Sequence, residues 1–228
     1  MGEIIDDPLL RERIRVFSGR HDAGRRLGAF LLSLPAIRDP LVLAIPAGGV
    51  PVGKEIAKTL GAPFSLAIVR KVRIPGTTES GFGAVAWDGT VLINERLRDA
   101  LFLSSSDVER AVSETAANVK ERIMRFMAGT PMPSVAGKTV ILTDDGLASG
   151  FTMLAAIRSV RAGGRPARVM VAVPTASRSS AELVGREADH LVCLNIRSGR
   201  SFAVADAYEE WYDLDDSEVL AELTSIPR

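Results

Sequence analysis

The run from Thr139 to Thr152 constrains the fold of this chain more than any other stretch, because it joins an apolar segment, two adjacent carboxylates and a small-residue turn. Residues 140–142 are apolar, as is typical of a strand buried inside a parallel sheet. Residues 153–161 carry apolar side chains at helical spacing. The chain is therefore expected to pass from a strand to a helix through a turn at residues 145–150.

Short apolar runs and helical patterns alternate along most of the chain. We expect strands at residues 41–45, 64–69, 84–87, 90–93, 138–143, 167–173 and 190–194. We expect helices at residues 21–34, 52–60, 108–127, 151–162 and 179–187, and a short acidic helix near the C-terminus. This alternation predicts an α/β fold with a doubly wound, mostly parallel sheet. Residues 106–109 and 179–182 are expected to open two of the helices.

A single domain spanning residues 1–228 is the simplest organisation for a chain with these patterns. Within it, residues 72–93 are expected to form an exposed flexible loop followed by a hairpin, since Asp88-Gly89 is a strong hairpin signal. Residues 94–135 are expected to be a helical insertion. Residues 195–228 are expected to form a small C-terminal hood.

The composition excludes several kinds of protein. Lysine plus arginine and aspartate plus glutamate both number 28, so no overall charge favours nucleic acid or a membrane surface, and neither partner is expected. The single cysteine excludes an internal disulfide, and His21 and His190 are too few for a zinc site. Because we find neither a signal-peptide pattern nor an apolar run approaching a membrane span, we expect a cytoplasmic protein.

The turn after the acidic pair has the composition of a phosphate-binding loop. A helix start leaves unpaired N–H groups and a partial positive charge, and small residues let a phosphate approach them. The residues expected to do so are Gly146, Leu147, Ala148, Ser149, Gly150 and Thr152. Asp144 and Asp145 would lie beside the phosphate, where carboxylates can accept hydrogen bonds from sugar hydroxyls. The alternative is an ordinary turn in which Ser149 caps the helix.

Two further segments follow predicted strands and are therefore expected at the same edge of the sheet. Pro46-Ala47-Gly48-Gly49 ends the first strand, and exposed amides of a glycine pair can form a concave anion site. Arg70 and Lys71 end the second strand, where two cations would face an anionic ligand. A plain strand-to-helix turn and a solvated charge pair are the alternatives.

Residues 140–152 resemble the ribose-phosphate signature of the type I phosphoribosyltransferases. From Arg20-His-Asp-Ala-Gly-Arg25 to its C-terminus, the chain is similar to a bacterial and archaeal group of phosphoribosyltransferases. The resemblance implies transfer of the 5-phosphoribosyl group from phosphoribosyl diphosphate to a nitrogenous base, with release of pyrophosphate. It also implies Mg²⁺ as cofactor, bound chiefly through the donor's own oxygens. A base or a nucleoside monophosphate would be the second ligand, and a homodimer is left open.

The resemblance assigns roles to the residues at this edge. Asp144 and Asp145 would hold the ribose hydroxyls, and residues 146–152 the 5′-phosphate. Glu79 lies in a segment, residues 72–83, that would close over the reaction and exclude water. The residues that would face the diphosphate are Ala47, Gly48, Gly49, Arg70 and Lys71. The expected catalytic group comprises Asp144, Asp145, Arg70, Lys71 and Glu79.

A C-terminal stretch resembles the base-binding segment of the hypoxanthine-guanine branch. The resemblance places Phe202 and Ala203 against the base, with the Phe202 ring stacked on it, and puts Glu209 where that branch has a metal-associated carboxylate. Phe202 as a core residue and Glu209 as a surface carboxylate are the alternatives. That branch reads the purine with a lysine, which residues 186–188 do not supply, so hypoxanthine or guanine is not carried over.

Two alanines depart from the family pattern. Most relatives carry a cation where this chain has Ala47, and some branches carry a carboxylate at the position of Ala148. These departures favour a second hypothesis, a regulatory protein that binds nucleotide or donor sugar without catalysis. The intact acidic pair and the loop at residues 72–83 favour the enzyme. The acceptor stays open in either case.

Overall fold

The computed structural model describes residues 2–75, 81–199 and 201–224. Its main sheet has six parallel strands, which are β1 (Glu3–Asp6), β2 (Pro40–Ala44), β3 (Phe64–Leu66), β7 (Thr139–Thr143), β8 (Arg168–Ser177) and β9 (His190–Arg197). A second sheet has three antiparallel strands, β4 (Val69–Arg73), β5 (Gly81–Ala86) and β6 (Val91–Ile93). The helices are α1 (Arg20–Ser33), α2 (Gly49–Leu60), α3 (Glu95–Ala100), α4 (Ser105–Met127), α5 (Phe151–Ala162), α6 (Arg178–Gly185) and α7 (Asp216–Thr224), and a 3-10 turn spans Val204–Ala207.

The main sheet confirms the predicted α/β fold with mostly parallel strands. Its strand order is β1-β9-β8-β7-β2-β3. Successive residues of β7 point to opposite faces, so Ile141 packs in the cluster formed with α1 and α2, whereas Leu142 packs in the cluster formed with α5. All residues of β7 are buried, because helices cover this strand on both sides. The strand that leads to the acidic pair is thus the centre of the core.

The predicted strand at residues 64–69 is divided between the two sheets. Its first part, β3, is the edge strand of the main sheet, and after Ala67-Ile68 the chain leaves that sheet to form β4. Arg70 and Lys71 therefore lie within β4, and the expectation that they end a strand of the main sheet is wrong. A continuous apolar run carries no signal for the point at which a chain changes sheets.

Residues 72–83 were expected to be a flexible loop. Most of the described residues of this segment belong to β-strands. β4 extends to Arg73, β5 begins at Gly81, and the side chain of Phe82 is fully buried. An exposed loop over residues 72–83 is therefore wrong at both ends, because cross-strand pairing of β4 with β5 overrides the loop preference of glycine. The predicted closing residue Glu79 falls at 76–80, outside the described residues.

The predicted hairpin at Asp88-Gly89 is confirmed, since β5 and β6 pair in antiparallel fashion on either side of it. The Thr90 backbone N–H donates to the Asp88 carboxylate at 3.0 Å, as is typical of such turns. Helix α4 packs across one face of this second sheet through Val119 and Phe126. Among the described helices, none combines the length and the apolar character that a membrane span requires.

Three local features differ from the sequence prediction. Helix α4 is capped by Ser104, whose hydroxyl accepts from the Asp107 N–H while the Asp107 carboxylate accepts from the Ser104 N–H, so the box predicted at residues 106–109 is shifted. Helix α6 is capped by Ser177 rather than by a residue at 179–182. Both caps lie in or near serine runs, where several positions satisfy the same pattern. The short strand β1 was not predicted because its sequence is half acidic.

Helices α1 and α2 pack closely, and their first residues lie near the carboxyl edge of the main sheet. A Cβ atom added to Gly24 would lie 2.7 Å from the Val52 carbonyl oxygen and 2.8 Å from the Glu55 Cβ. A Cβ atom on Gly28 would lie 2.8 Å from the Thr59 side chain. The absence of side chains at these two positions lets the helices approach, and thereby fixes where α1 and α2 begin.

We expect Gly24→Ala to lower the free energy of unfolding by about 1–3 kcal/mol, because backbone atoms of α2 have to shift to admit the methyl group. Chemical denaturation measures the change. Gly19→Ala is the control: a Cβ there meets nothing within 4 Å and the backbone is extended, so only the weaker N-cap preference of alanine should count, and the loss should stay at about 0.5–1 kcal/mol. Equal stability of Gly24→Ala and wild type would contradict this account of the α1–α2 contact.

Candidate functional site

The acidic pair and the glycine pair meet at the carboxyl edge of the main sheet. Asp144 and Asp145 follow β7, Gly48 and Gly49 follow β2, and these strands are neighbours. A Cβ atom on Gly48 would lie 1.8 Å from Asp145 Oδ2, and one on Gly49 would lie 2.9 Å from the Asp144 Cα. The structure thus brings together two of the segments that the sequence placed at one edge, and any side chain at either glycine would collide with the acids.

The glycine pair does not offer two open amides, contrary to expectation. The Gly49 N–H, at the first residue of α2, donates to the Ile45 carbonyl oxygen at 3.0 Å and is therefore not open. The peptide bond that joins Pro46 to Ala47 is cis. Ala47 itself is half-buried and packs against the apolar cluster that includes Val50. These glycines therefore mainly leave space for the acidic pair, and they do not form the expected concave site of open amides.

The turn after the acidic pair is anchored to the neighbouring strand β8. The Leu147 N–H donates to the Thr175 carbonyl oxygen at 2.9 Å, and the Ser177 N–H donates to the Leu147 carbonyl oxygen at 3.1 Å. The Leu147 side chain is buried. Leu147 was expected to face a phosphate, but its amide is occupied, so it holds the turn in place instead.

The start of α5 is open in the way that an anion site requires. Gly150 precedes the helix with a left-handed φ of 79°, a conformation that favours glycine. Among the described residues, none caps this helix with a side chain. The alternative in which Ser149 is an ordinary helix cap is therefore wrong, and the first N–H groups of α5 keep their partial positive charge.

A cavity of about 200 Å³ unites these elements. It is lined by Lys71, Asp144, Gly146, Leu147, Ala148, Ser149, Gly150, Thr152 and Met153. One carboxylate, one ammonium group and the open end of a helix thus share a single cavity. Its size suits a phosphate group with part of a sugar.

A larger cavity of about 1000 Å³ lies elsewhere. Its lining includes Lys58, Phe64 and Phe126, and it contains none of the residues predicted to bind ligand. Helix α2 begins at the acidic pair, and this cavity lies along its second half and last turn, up to about 18 Å away along the axis. Volume alone would favour the larger cavity, but it lacks the acidic pair and the open helix end.

The two carboxyl groups are half-buried and lie next to each other. The Asp145 N–H donates to Asp144 Oδ1 at 2.8 Å. Burial, reinforced by the neighbouring charge of Asp145, raises the pKa of Asp144 well above its usual range. Burial also raises the pKa of Asp145, but Arg20 opposes that rise. The pair is therefore poised to carry one negative charge more readily than two.

Arg20 belongs to this site, and the sequence analysis did not assign it a role. Its Nε donates to Asp145 Oδ2 at 2.9 Å, and its Nη1 donates to the Tyr212 carbonyl oxygen at 2.8 Å. Its guanidinium carbon lies 4.0 Å from the centre of the Trp211 ring. The only sequence signal was that the family resemblance began at this arginine; its carboxylate partner is 125 positions away.

Arg70 and Lys71, which were expected to face one ligand together, are separated by the alternation of β4. Lys71 lines the cavity beside Asp144. Arg70 is half-buried on the side that faces α4, where burial and the nearby charge of Arg122 lower its pKa. Of the two cations, Lys71 alone therefore contributes to the cavity lining.

The C-terminal segment folds back over the same edge. The Tyr208 hydroxyl donates to the Asp145 carbonyl oxygen at 2.6 Å, and burial raises the pKa of this phenol well above its usual range. Phe202 is half-buried, with the Arg197 guanidinium carbon 4.5 Å from its ring centre. Ala203 is exposed and its carbonyl oxygen accepts from Arg197 Nη2 at 2.5 Å. The segment is a hood over the acidic pair, held by specific contacts.

Glu209, expected to assist a metal ion, has an exposed side chain. Its backbone N–H donates to the Phe17 carbonyl oxygen at 2.8 Å. Across residues 2–75, 81–199 and 201–224, no three or more histidine, cysteine or acidic side chains are grouped as metal ligands.

This fold and site define an α/β protein with a cavity at the carboxyl edge of a parallel sheet, between an acidic pair and an open helix start. The family model described as "Phosphoribosyl transferase domain" matches residues 21–208. The chain belongs to the phosphoribosyl transferase domain family, as the resemblance of residues 140–152 predicted.

Individual relatives agree with that assignment. The chain is 33% identical over 208 residues to the Mycobacterium tuberculosis protein named "Putative phosphoribosyl transferase Rv0571c", in a match that covers 91% of this chain and 46% of the relative. The chain thus spans less than half the length of the curated relatives that it matches.

Solved structures share the fold. The crystal structure of TT1426 from Thermus thermophilus has 34% sequence identity and a TM-score of 0.74, covering 92% of this chain and 98% of that one. The AQ2163 protein from Aquifex aeolicus, at 12% identity and a TM-score of 0.50, covers 83% of this chain and 78% of its own; it shows a likeness of fold alone.

The raised pKa of Asp144 predicts how stability depends on pH. An acid whose pKa is higher in the folded protein contributes stability that is complete below the unfolded value, about pH 4, and is lost as pH rises through the folded value. The Asp144→Asn variant has no carboxyl group to ionise at this position, so it does not lose stability in this way as pH rises. Its amide oxygen can still accept the hydrogen bond from the Asp145 N–H. We expect the melting temperature of the variant, relative to wild type, to increase as pH rises from about 5 to about 8.

Asp107→Asn is the control, because the pKa of Asp107 is shifted in the opposite direction to that of Asp144. Hydrogen bonds with the Ser104 side chain and backbone lower the pKa of Asp107, so its contribution is present above about pH 4 and the variant should melt below wild type at neutral pH. Thermal melts across this pH range measure both variants. A difference in melting temperature between Asp144→Asn and wild type that stays constant or falls from about pH 5 to about pH 8 would contradict the raised pKa of Asp144.

Proposed function

We propose that the protein transfers a 5-phosphoribosyl group from phosphoribosyl diphosphate to a nitrogenous, nucleobase-like acceptor and releases pyrophosphate. The observation that carries this proposal is the shared cavity: Asp144, Lys71 and the uncapped start of α5 line one space of about 200 Å³. Family membership supplies the reaction class. The arrangement of the acidic pair, the glycine turn and the start of α5 supports a separate proposed position for each part of the donor.

The 5′-phosphate is proposed to bind at the start of α5. The first N–H groups of the helix and the hydroxyls of Ser149 and Thr152 are the donors, and Gly150 lets the backbone turn beneath the phosphate. The Leu147 contacts with β8 hold the turn rigid, so little order has to be gained on binding. The dipole of α5 favours the negative charge at this end.

The ribose is proposed to lie against the acidic pair, where its 2′ and 3′ hydroxyls donate to Asp144 and Asp145. A hydroxyl donates to a carboxylate more strongly than to a neutral acid, so binding favours the ionised pair. Because burial raises both pKa values, ligand binding and loss of a proton from the pair should be linked.

The diphosphate is proposed to lie between Gly48 and Lys71, with Ala47 and Gly49 forming the floor. Mg²⁺, when bound with the donor, supplies charge neutralisation on the diphosphate oxygens, and Glu209 is retained as a proposed outer ligand. Lys71 stabilises the negative charge that accumulates as the bond to the diphosphate breaks. Arg70, on the α4 face, is retained as a weaker contributor.

In the proposed reaction, the bond from the ribose carbon 1 to the diphosphate oxygen breaks, and its electron pair leaves with pyrophosphate. A ring nitrogen of the acceptor then forms the new bond to carbon 1 from the opposite face, and a proton carried by that nitrogen passes to water or to the departing pyrophosphate. Charge stabilisation and positioning provide the acceleration, so no protein nucleophile is required. Phe202 and Ala203 are proposed to border the acceptor, and the closing role of Glu79 stays a prediction outside the described residues.

Two alanines at the site, Ala47 and Ala148, support a second candidate function. Ala47 packs into an apolar cluster, at a position where a cation would stabilise the departing pyrophosphate. Ala148 is exposed beside the cavity, and its methyl group can act neither as an acid nor as a base. These features favour a regulatory protein that binds the donor sugar or a nucleotide without turning it over. The ligand site is the same in both cases.

Titration calorimetry with phosphoribosyl diphosphate and Mg²⁺ tests the shared binding site. Asp144→Asn and Asp145→Asn should each weaken binding by about 10-fold or more, because each loses a charge-assisted hydrogen bond to the ribose. Asp39→Asn is the control, since Asp39 precedes β2 and lies at the opposite edge of the sheet, paired with Lys138. Absence of binding by wild type would refute both functions, and unchanged affinity of both acid variants would refute the ribose assignment.

Release of pyrophosphate in the presence of a panel of nitrogenous bases separates the two functions. We expect at least one base to accelerate release well above the rate of donor hydrolysis by wild-type protein. Tight donor binding without release for any base would favour the regulatory protein instead.

The position of Lys71 gives a further expectation. Lys71→Met should weaken binding of phosphoribosyl diphosphate by about 10-fold or more and change the affinity for ribose 5-phosphate less, because the lost ammonium faces the diphosphate. Arg70→Met, on the preceding residue, should have the smaller effect on both ligands. Calorimetric titration of both ligands measures the difference, and a larger effect of Arg70→Met would reverse the assignment.

A further inference from the structure

Arg20 is a buried cation at the first turn of α1. Its side chain is only 8% exposed, and the Asp145 carboxylate it contacts is 16% exposed. A helix start repels positive charge, because the helix dipole places partial positive charge there. A buried arginine at such a position is destabilising unless other groups compensate it. The arrangement around Arg20 therefore needs an explanation beyond the stability of α1.

Three contacts compensate Arg20, and none of them belongs to α1. Nε donates to Asp145 Oδ2, Nη1 donates to the Tyr212 carbonyl oxygen, and the guanidinium lies over the Trp211 ring. The guanidinium plane suits such a combination of a forked hydrogen bond and a stacked ring, which a lysine cannot reproduce. Arg20 thus joins the acidic pair to the C-terminal hood.

The same acid is held from a second side. The Tyr208 hydroxyl donates to the Asp145 backbone carbonyl at 2.6 Å, and the Tyr208 ring lies 5.1 Å from Trp211 and 5.6 Å from Phe17. A Cβ atom on Gly48 would overlap the Asp145 carboxylate, so that carboxylate is enclosed between Arg20 and the glycine turn. Asp145 therefore has little freedom to rotate.

We infer that Arg20 is a positioning residue for the proposed donor sugar: it fixes the Asp145 carboxylate for the ribose hydroxyls and fastens the segment at residues 208–212 over the same site. This role rests on the proposed function. In the described part of the chain, the groups that face Asp145 are Asp144, Arg20 and Tyr208, and of these three Arg20 is the cation. It acts on the sugar only through Asp145.

The contact with Arg20 determines which of the two acids carries the negative charge. Arg20 favours the ionised form of Asp145. The charge of Asp145 in turn favours the protonated form of Asp144. Without Arg20, burial and the repulsion between the two carboxylates would both oppose ionisation of the pair. Protonation of Asp145 would then compete with sugar binding at a higher pH than in wild type.

Ribose 5-phosphate and inorganic phosphate, titrated separately, test the inference. Arg20→Met should weaken binding of ribose 5-phosphate by about 10-fold and leave the affinity for inorganic phosphate within about 2-fold, because only the sugar contacts Asp145. The affinity of this variant for ribose 5-phosphate should also fall more steeply than that of wild type as pH decreases from about 8 to about 6.

Arg26→Met is the matched control from the same helix. Arg26 pairs with Asp22, donates to the Val16 carbonyl oxygen and lies over the Phe17 ring, so its contacts with described residues lie away from the acid pair. Its affinities and pH profile should match wild type. Arg20→Lys keeps the charge but not the forked hydrogen bonds, so its pH profile should match wild type while its affinity for ribose 5-phosphate falls by about 3-fold or more. That loss carries the test if Arg20→Met does not fold, and an unchanged affinity would then overturn the inference.

The outcomes separate the inference from the proposed function. Failure of wild type to bind ribose 5-phosphate would refute the proposed function itself. Binding by wild type together with an Arg20→Met variant of equal affinity and equal pH profile would overturn the role of Arg20 alone. An Arg20→Lys profile that remains steeper than wild type would also overturn it, because charge compensation of Asp145 would not be the cause.

Discussion

Two half-buried carboxyl groups held side by side are the constraint on which the rest of this site depends. Burial opposes the ionisation of both, and Arg20 compensates Asp145 more directly than Asp144. Gly48 and Gly49 leave the space that the pair occupies, and Tyr208 holds the backbone of Asp145 from the hood. Groups kept in such an unfavourable state are typical of functional sites, where a ligand later supplies the missing hydrogen bonds.

Local sequence patterns predicted those parts of the site that depend on residues close in the chain. The strand at 140–142, the acidic pair and the small-residue turn before α5 lie in one run, and strand-helix alternation places that run at the carboxyl edge of a parallel sheet. The convergence with Gly48 and Gly49 followed from the same rule, because each segment ends a neighbouring strand.

Contacts between distant segments could not be predicted in this way. Nothing local to Arg20 indicates an acid 125 positions away, and the hydrogen bond from Leu147 to Thr175 depends on the register between a turn and β8. The separation of Arg70 from Lys71 depends on the chain leaving the main sheet after Ile68, which a continuous apolar run does not reveal. Sequence periodicity identifies elements, whereas these features depend on how elements meet.

The central claim is that the start of α5 and the acidic pair together hold a phosphorylated ribose. A crystal structure of the wild-type protein with ribose 5-phosphate tests it most directly. The account predicts phosphate oxygens at hydrogen-bond distance, about 2.7–3.2 Å, from the amides and hydroxyls at residues 148–152, with ribose hydroxyls on Asp144 and Asp145. A sugar phosphate bound in the larger cavity near Phe64 and Phe126, with the acidic pair empty, would contradict it.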